Sequence, residues 1–181
     1  MHWARKIRIW LAILASAIAA LVTTAPAFAK QRTADAQIAI VRRLEFIRVE
    51  NLDFGKVIRA TTAGTVTIAP DGTRTKTGNV ILIGTGFQPA KFAGMGTNNQ
   101  NVDVSIGSAT IFATGPGAPM RVRTFVMGST PTAVLTTAPQ RFRINSATGI
   151  FVFPVGATLE VGANQTPGTY TGTWTITLNY Q

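Results

Sequence analysis

The side chains in this 181-residue sequence that could carry out chemistry are carboxylates and guanidinium groups, and little else. There is no cysteine, and the one histidine is His2. Without either residue type beyond position 2, the chain cannot build a Ser-His-Asp triad, a cysteine nucleophile, a haem site or a Cys/His zinc site. Beyond residue 29 seven carboxylates remain: Asp35, Glu45, Glu50, Asp53, Asp71, Asp103 and Glu160. A glycosidase needs only two at a defined separation. None of the seven sits in a recognisable motif, and no cluster has the loop spacing that calcium requires. Gly84-x-Gly86, Gly94-x-Gly96 and Gly115-x-Gly117 lack the third glycine and the following helix of a dinucleotide fingerprint, and read as turns. The expectation is a non-enzyme with no cofactor and no metal.

Bases outnumber acids by 17 to 7. Arg121/Arg123 and Arg141/Arg143 are spaced by two, which puts both guanidinium groups of each pair on one face of a strand. Such a face could hold a polyanion, a cell-surface glycan or lipopolysaccharide. The plainer reading is a solvated face that keeps a β-rich chain from edge-to-edge aggregation.

The elements that would position these groups begin with a leader. Arg5, Lys6 and Arg8 precede an apolar run from Ile9 to Val22, and Ala27-Phe-Ala29 supplies small residues where a signal peptidase reads them. A basic start, a short apolar run and an A-x-A end describe a signal peptide over residues 1–29, cleaved after Ala29. The run is shorter than the ~20 residues of a spanning helix, and Pro26 interrupts it. No later run is long enough, so no membrane span is expected after cleavage. Export excludes intracellular nucleic acid as a partner and places the product in the periplasm, on the cell surface or outside the cell. The remaining 152 residues suffice for one domain with a core. With no disulfide available, that domain must hold itself by packing or by binding a partner.

The most regular element is the last. From Tyr170 the even positions are Tyr170, Gly172, Trp174, Ile176, Leu178 and Tyr180, and the odd ones are four threonines and Asn179. Period-2 alternation sends the large apolar groups to one face of an extended strand. Their burial is worth roughly 8–15 kcal/mol at most, and the strand is expected at the centre of the core. Tyr180 is penultimate and Gly168 is the fourteenth residue from the end. With Trp174, Ile176 and Leu178 between them, this strand resembles the C-terminal strand of chaperone–usher pilins and of spore-coat-U-like proteins.

Residues 30–44 form a second alternating segment, with Ala34, Ala36, Ile38 and Ile40 on one side of an extended chain. They are either a first strand pairing within its own domain or a donor arm that completes another copy's sheet by β-augmentation. Asn51-Leu-Asp-Phe-Gly55 reads as a turn into a short strand, Lys56–Ile58. That motif, together with Gly64-Thr-Val-Thr-Ile68, Ala90-Lys-Phe92, Met120-Arg-Val122, Val155-Gly-Ala-Thr-Leu159 and the final Gly-x-Tyr…Tyr strand, resembles a secreted family, the domain of unknown function 4402. The resemblance covers the whole chain after the leader. It departs at Arg42-Arg43-Leu44, where a proline before the leucine is more usual, and it implies no particular activity.

The middle follows local rules. Pro70-Asp-Gly-Thr73 turns a hairpin between Thr65–Ala69 and Arg74–Thr77. Val80–Ile83, Lys91–Met95, Val102–Ile106, Thr110–Phe112 and Met120–Met127 are further strands, and Ser129–Pro139 is a loop with at most one short strand. Ile150–Phe153 and Thr158–Val161 are expected as two strands flanking a Pro-Val-Gly kink. Many short strands punctuated by Gly and Pro predict an all-β, immunoglobulin-like (pilin-like) antiparallel sandwich over residues 30–181. The functional expectation is a surface-assembly subunit, pilin-like or coat-like, whose partners are further copies or related subunits, a periplasmic chaperone and an outer-membrane usher. The alternative is a monomeric exported binding module for a glycan or other polyanion.

Overall fold

The computed structural model describes residue 32 and residues 34–128 and 132–181. The expected leader, with Ala27 and Ala29, lies outside the described residues. The chain divides into a unit ending at Ala39 and a compact unit, Ile40–Gln181. In the first, residues 34–39 lie in no strand, and Ala34, Ala36 and Ile38 are exposed.

The compact unit is all-β, with no helix among the described residues, and therefore none long and apolar enough to cross a membrane there. In chain order the strands are β1 (Glu45–Glu50), β2 (Lys56–Ile58), β3 (Gly64–Ile68), β4 (Arg74–Thr77), β5 (Ile81–Ile83), β6 (Ala90–Met95) and β7 (Asn101–Ile106). They continue as β8 (Thr110–Ala113), β9 (Met120–Met127), β10 (Ala133–Val134), β11 (Gln140–Arg143), β12 (Ile150–Val161) and β13 (Ile176–Tyr180).

Strand β12 organises the large sheet. Its first half pairs with β6 and its second half with β3, while β9 pairs with its middle from the other side. Strands β1 and β4 lie outside β6 and β3, and β8 and β10 outside β9. A three-stranded sheet runs β11-β7-β13, and β2 and β5 form a separate ribbon. Every pairing is antiparallel. The core is the meeting of apolar strand faces: Val155, Ala157, Leu159 and Val161 of β12 and Val102, Val104 and Ile106 of β7 are buried at period 2, and Val122, Phe125 and Met127 of β9 are buried across a change of parity at Thr124, whose φ is +55°. The outward positions between them are Thr158, Glu160, Arg121 and Arg123, hydrogen-bonded or ion-paired across strands.

Two expectations change. Residues 150–161 are one twelve-residue strand, not two. Pro154 is tolerated because its carbonyl accepts from Gly128 N (2.8 Å) just past the end of β9, so its missing N–H falls where pairing on that side stops. The irregularity comes two residues later, as a register shift between Gly156 and Thr158 against β9. A Cβ at Gly156 would lie 2.1 Å from the Ile68 carbonyl oxygen.

The C-terminal stretch is not central. Only Ile176–Tyr180 is a strand, and it is an edge of the small sheet. Upstream, Thr171 exchanges both backbone hydrogen bonds with Thr114, just past β8 of the large sheet, while Thr175 accepts from Gly107 N beyond β7. The extended chain therefore crosses from one sheet to the other within five residues. That crossing keeps Tyr170, Trp174, Ile176, Leu178 and Tyr180 half-buried rather than buried.

Candidate functional site

The crossing strand forms one wall of a cleft of about 1230 Å³. It is also lined by Phe46 and Arg48 of β1, by residues 51–59, and by Ala90, Phe92, Val122, Leu159 and Val161. Trp174 lines it. Its ring meets Phe92 edge-on at 5.7 Å (86°) and Phe125 at 4.8 Å (31°). Phe92 in turn contacts Phe46 at 6.1 Å and stacks on Phe153 at 5.4 Å. These phenylalanines come from β1, β6, β9 and β12; Phe92 belongs to the Ala90-Lys-Phe92 motif, but the sequence places none of the four at a site. Phe125 was concealed because β9 loses its alternation at Thr124, whose φ is +55°.

The two tyrosines of the C-terminal motif do more than fill space. Tyr170 Oη donates to Thr166 O (2.9 Å) and accepts from Gln165 Nε2 (2.9 Å), and Gln165, buried, also donates to Ala118 O. Tyr170 crosses the turn at Gly115 and Gly117, where a Cβ would lie 2.7 Å from its ring and 2.6 Å from its hydroxyl oxygen. Gly168 has φ of +148° and sits against Pro116, so backbone and space both require glycine. Tyr180 Oη donates to Arg42 O (2.8 Å) and accepts from Thr97 N (2.6 Å). The penultimate tyrosine thus ties the last strand to the chain entering β1, where Ile40 and Val41 are exposed.

The Leu-Asp-Phe-Gly motif also lines the cleft. Asp53 Oδ1 accepts from Gly55 N (2.7 Å), Asp53 and Gln88 exchange backbone hydrogen bonds, and Leu52 and Phe54 pack on the core. Gly55 has φ of +70°. The Arg74 guanidinium lies 4.9 Å over the Phe87 ring and donates to Lys56 O and Ile83 O, tying β4 to the β2–β5 ribbon. Burial lowers its pKa, opposed by the charge of Asp53.

The other charged candidates are spread over the surface. Arg121 Nε (2.7 Å) and Arg123 Nε both donate to Glu160, holding its carboxyl below the usual range. Lys91 pairs with Glu50 at 2.9 Å, and Arg141 approaches Asp103 at 3.8 Å. Asp71 caps its own turn through Thr73 N. Arg141 and Arg143 face outward as expected, but on the small sheet, away from the Arg121/Arg123 strand. Among the described residues no three His, Cys, Asp or Glu side chains gather to hold a metal.

The structure thus brings together Gly168, Tyr170, Trp174 and Ile176 along the cleft, with Leu178 and Tyr180 continuing the same row to the chain entry at Arg42. It places Ala34, Ala36, Ile38 and Ile40 in no strand of their own. These features define an antiparallel β-sandwich protein with an open cleft beside a strand that changes sheets. The chain belongs to the family of the domain of unknown function DUF4402, whose model matches residues 44–180. No curated protein and no solved structure matches it.

Proposed function

We propose that this protein is an exported surface-assembly subunit that polymerises by strand addition. The donor is the arm at residues 30–41 of one copy, ahead of Arg42, whose carbonyl is held by Tyr180 of its own domain, and the acceptor is the cleft beside Gly168–Tyr180 of the next. One observation carries the reading. The half-buried row Trp174, Ile176, Leu178 lies on a chain whose strand β13 pairs with β7 on one edge and with no strand of its own domain on the other, among the described residues. An extended segment laid there gains main-chain hydrogen bonds along that edge, and its alternate side chains enter the cleft beside Phe46, Phe92, Trp174 and Ile176. The arm has the matching period, with Ala34, Ala36, Ile38 and Ile40 free; Ile38 is 89% and Ile40 91% exposed. Leader cleavage after Ala29 would free the arm, and a periplasmic chaperone with an outer-membrane usher would be the partners that hold and deliver the subunit.

The test uses Ile38→Asp. A carboxylate entering the cleft forfeits the apolar burial of Ile38 and must shed its hydration, which disfavours insertion. Wild-type protein is expected to run as a ladder on unheated detergent gels, and Ile38→Asp as single subunits. A synthetic peptide of residues 30–44 should then raise the unfolding temperature of Ile38→Asp and shift its Trp174 emission to the blue. A wild-type protein that stays monomeric and ignores the peptide would refute strand addition, leaving the binding module for a glycan or other polyanion as the reading to pursue.

A further inference from the structure

The same large sheet shows two different outer surfaces. Across β4, β3, β12 and β9 the solvent-facing residues are Thr75, Thr77, Thr65, Thr67, Thr158, Glu160, Arg121 and Arg123, as a wet face requires. At the other end of the sheet β1, β6 and β12 set nine outward positions in three cross-strand rows. These are Glu45–Met95–Ile150, Ile47–Ala93–Val152 and Glu50–Lys91–Pro154. Their inner counterparts, Phe46, Phe92, Phe151 and Phe153, already face the core. The outer rows are nonetheless aliphatic and open: Ile47 is 68%, Val152 58%, Ile150 55% and Met95 41% exposed. A single strand, β12, thus turns Ile150 and Val152 to solvent at one end and Thr158 and Glu160 at the other, so strand propensity does not account for the difference.

We infer that this face docks a second copy of the chain, sheet against sheet. Its apolar area is on the order of 500 Å², the size at which a patch on a soluble protein is commonly functional. With its polar rim it reaches the roughly 800 Å² per partner of a standard interface. The relief is self-complementary. Ala93 makes a trough between the Ile47 ridge and the Ile150/Val152 ridge. A two-fold axis parallel to the strands, between β6 and β12, sets Val152 of each copy over Ala93 of the other and Ile150 over Met95. Lys91 then meets Pro154 rather than a like charge. The rim carboxylates already have cations, Lys91 on Glu50 and Arg43 on Glu45 (3.5 Å), so the face carries no net charge. That balance suits a second identical face and does not suit an anionic membrane, to which this basic chain would turn its unpaired cations. The contact is separate from the cleft and does not depend on strand addition.

The test starts from the full coding sequence carrying Ile38→Asp, so that arm exchange does not contribute. Sedimentation velocity over a concentration series is expected to show a reversible dimer. Val152→Lys and Ile47→Lys, both at exposed outward positions, should each raise the dissociation constant at least about tenfold, with circular dichroism and unfolding midpoint retained. Because the chain has no cysteine, single-cysteine variants give an independent readout. Ala93→Cys should be joined by a bismaleimide spanning about 10 Å, the distance between packed sheets, and Thr75→Cys should not. A protein monomeric at several hundred micromolar, a dimer indifferent to both lysines, or binding to phosphatidylglycerol vesicles that Val152→Lys abolishes would each overturn the inference.

Discussion

Truncating Trp174 is the most direct measure of how the crossing strand is held. The ring is half-buried, so the transfer part of Trp174→Ala is smaller than for a fully buried aromatic, whose truncation typically costs ~3–5 kcal/mol in all. About 2 kcal/mol is reasonable for the transfer part, because water already reaches one side of the cleft. Two ring contacts go as well, the edge-on pair with Phe92 and the closer pair with Phe125, at ~0.5–1.5 kcal/mol each. The sum is about 3–5 kcal/mol, against a total stability of roughly 5–15 kcal/mol for a domain. Trp174→Phe keeps a ring in place and should recover about half of the loss. Thr175→Ala, on the exposed side of the same chain, should stay within about 0.5 kcal/mol. Urea unfolding followed by circular dichroism at matched ionic strength measures all three. If Trp174→Ala and Thr175→Ala were equally mild, Trp174 would not be the link between the crossing strand and the large sheet.

Tyr180→Phe strands Thr97 N and Arg42 O, and should cost about 1–2 kcal/mol in urea unfolding; Tyr170→Phe, which unties Gln165 and Thr166, should cost a similar amount. Gly72→Ala, at φ of +87° with open space around it, should cost about 1–2 kcal/mol of backbone strain. Gly168→Ala should cost clearly more, because its Cβ would also lie 2.4 Å from Pro116 Cγ. For Glu160 the folded-state pKa is lowered, first by the hydrogen bond from Arg121 and then by that from Arg123. Its contribution is therefore present above the unfolded value of about 4.3 and is lost as pH falls through the lower folded value. The midpoint difference between wild type and Glu160→Gln should be largest near neutral pH and vanish in strong acid; a difference that grew on acidification would contradict the pairing.

Where side-chain period and turn chemistry agree, the fold was legible residue by residue. The hairpin about Pro70–Thr73 and the short strand Lys56–Ile58 are local affairs, set by an aspartate capping its own turn and by glycines with positive φ. The inward row of the C-terminal stretch was equally legible, because alternation fixes which side a residue faces whatever it pairs with. Pairing partners are another matter. Nothing local reveals that Thr171 bonds to Thr114 and Thr175 to Gly107, so one continuous pattern concealed a change of sheet. Pro154 misled for a related reason, since its effect depends on whether a neighbour stands on the side of the missing N–H. The aliphatic outer rows of β1, β6 and β12 were hidden because Phe151-x-Phe153 alternates with Ile150 and Val152, and a strand apolar on both sides has no visible period. The cleft is assembled from segments more than a hundred residues apart, and only their side preferences could be read in advance.

The length and lateness of β12 bear on how the chain acquires its structure. Strands β3, β6 and β9 are joined to one another only through it, with Ile68 waiting for Ala157 and Phe92 for Phe153. A polypeptide emerging from a ribosome or a translocation pore, amino end first, has by residue 149 made its hairpins and no large sheet. Loop closures of this span are slow compared with local pairing. Assembly of the domain is therefore an event of the last thirty-odd residues, and the chain remains threadable for nearly its whole passage.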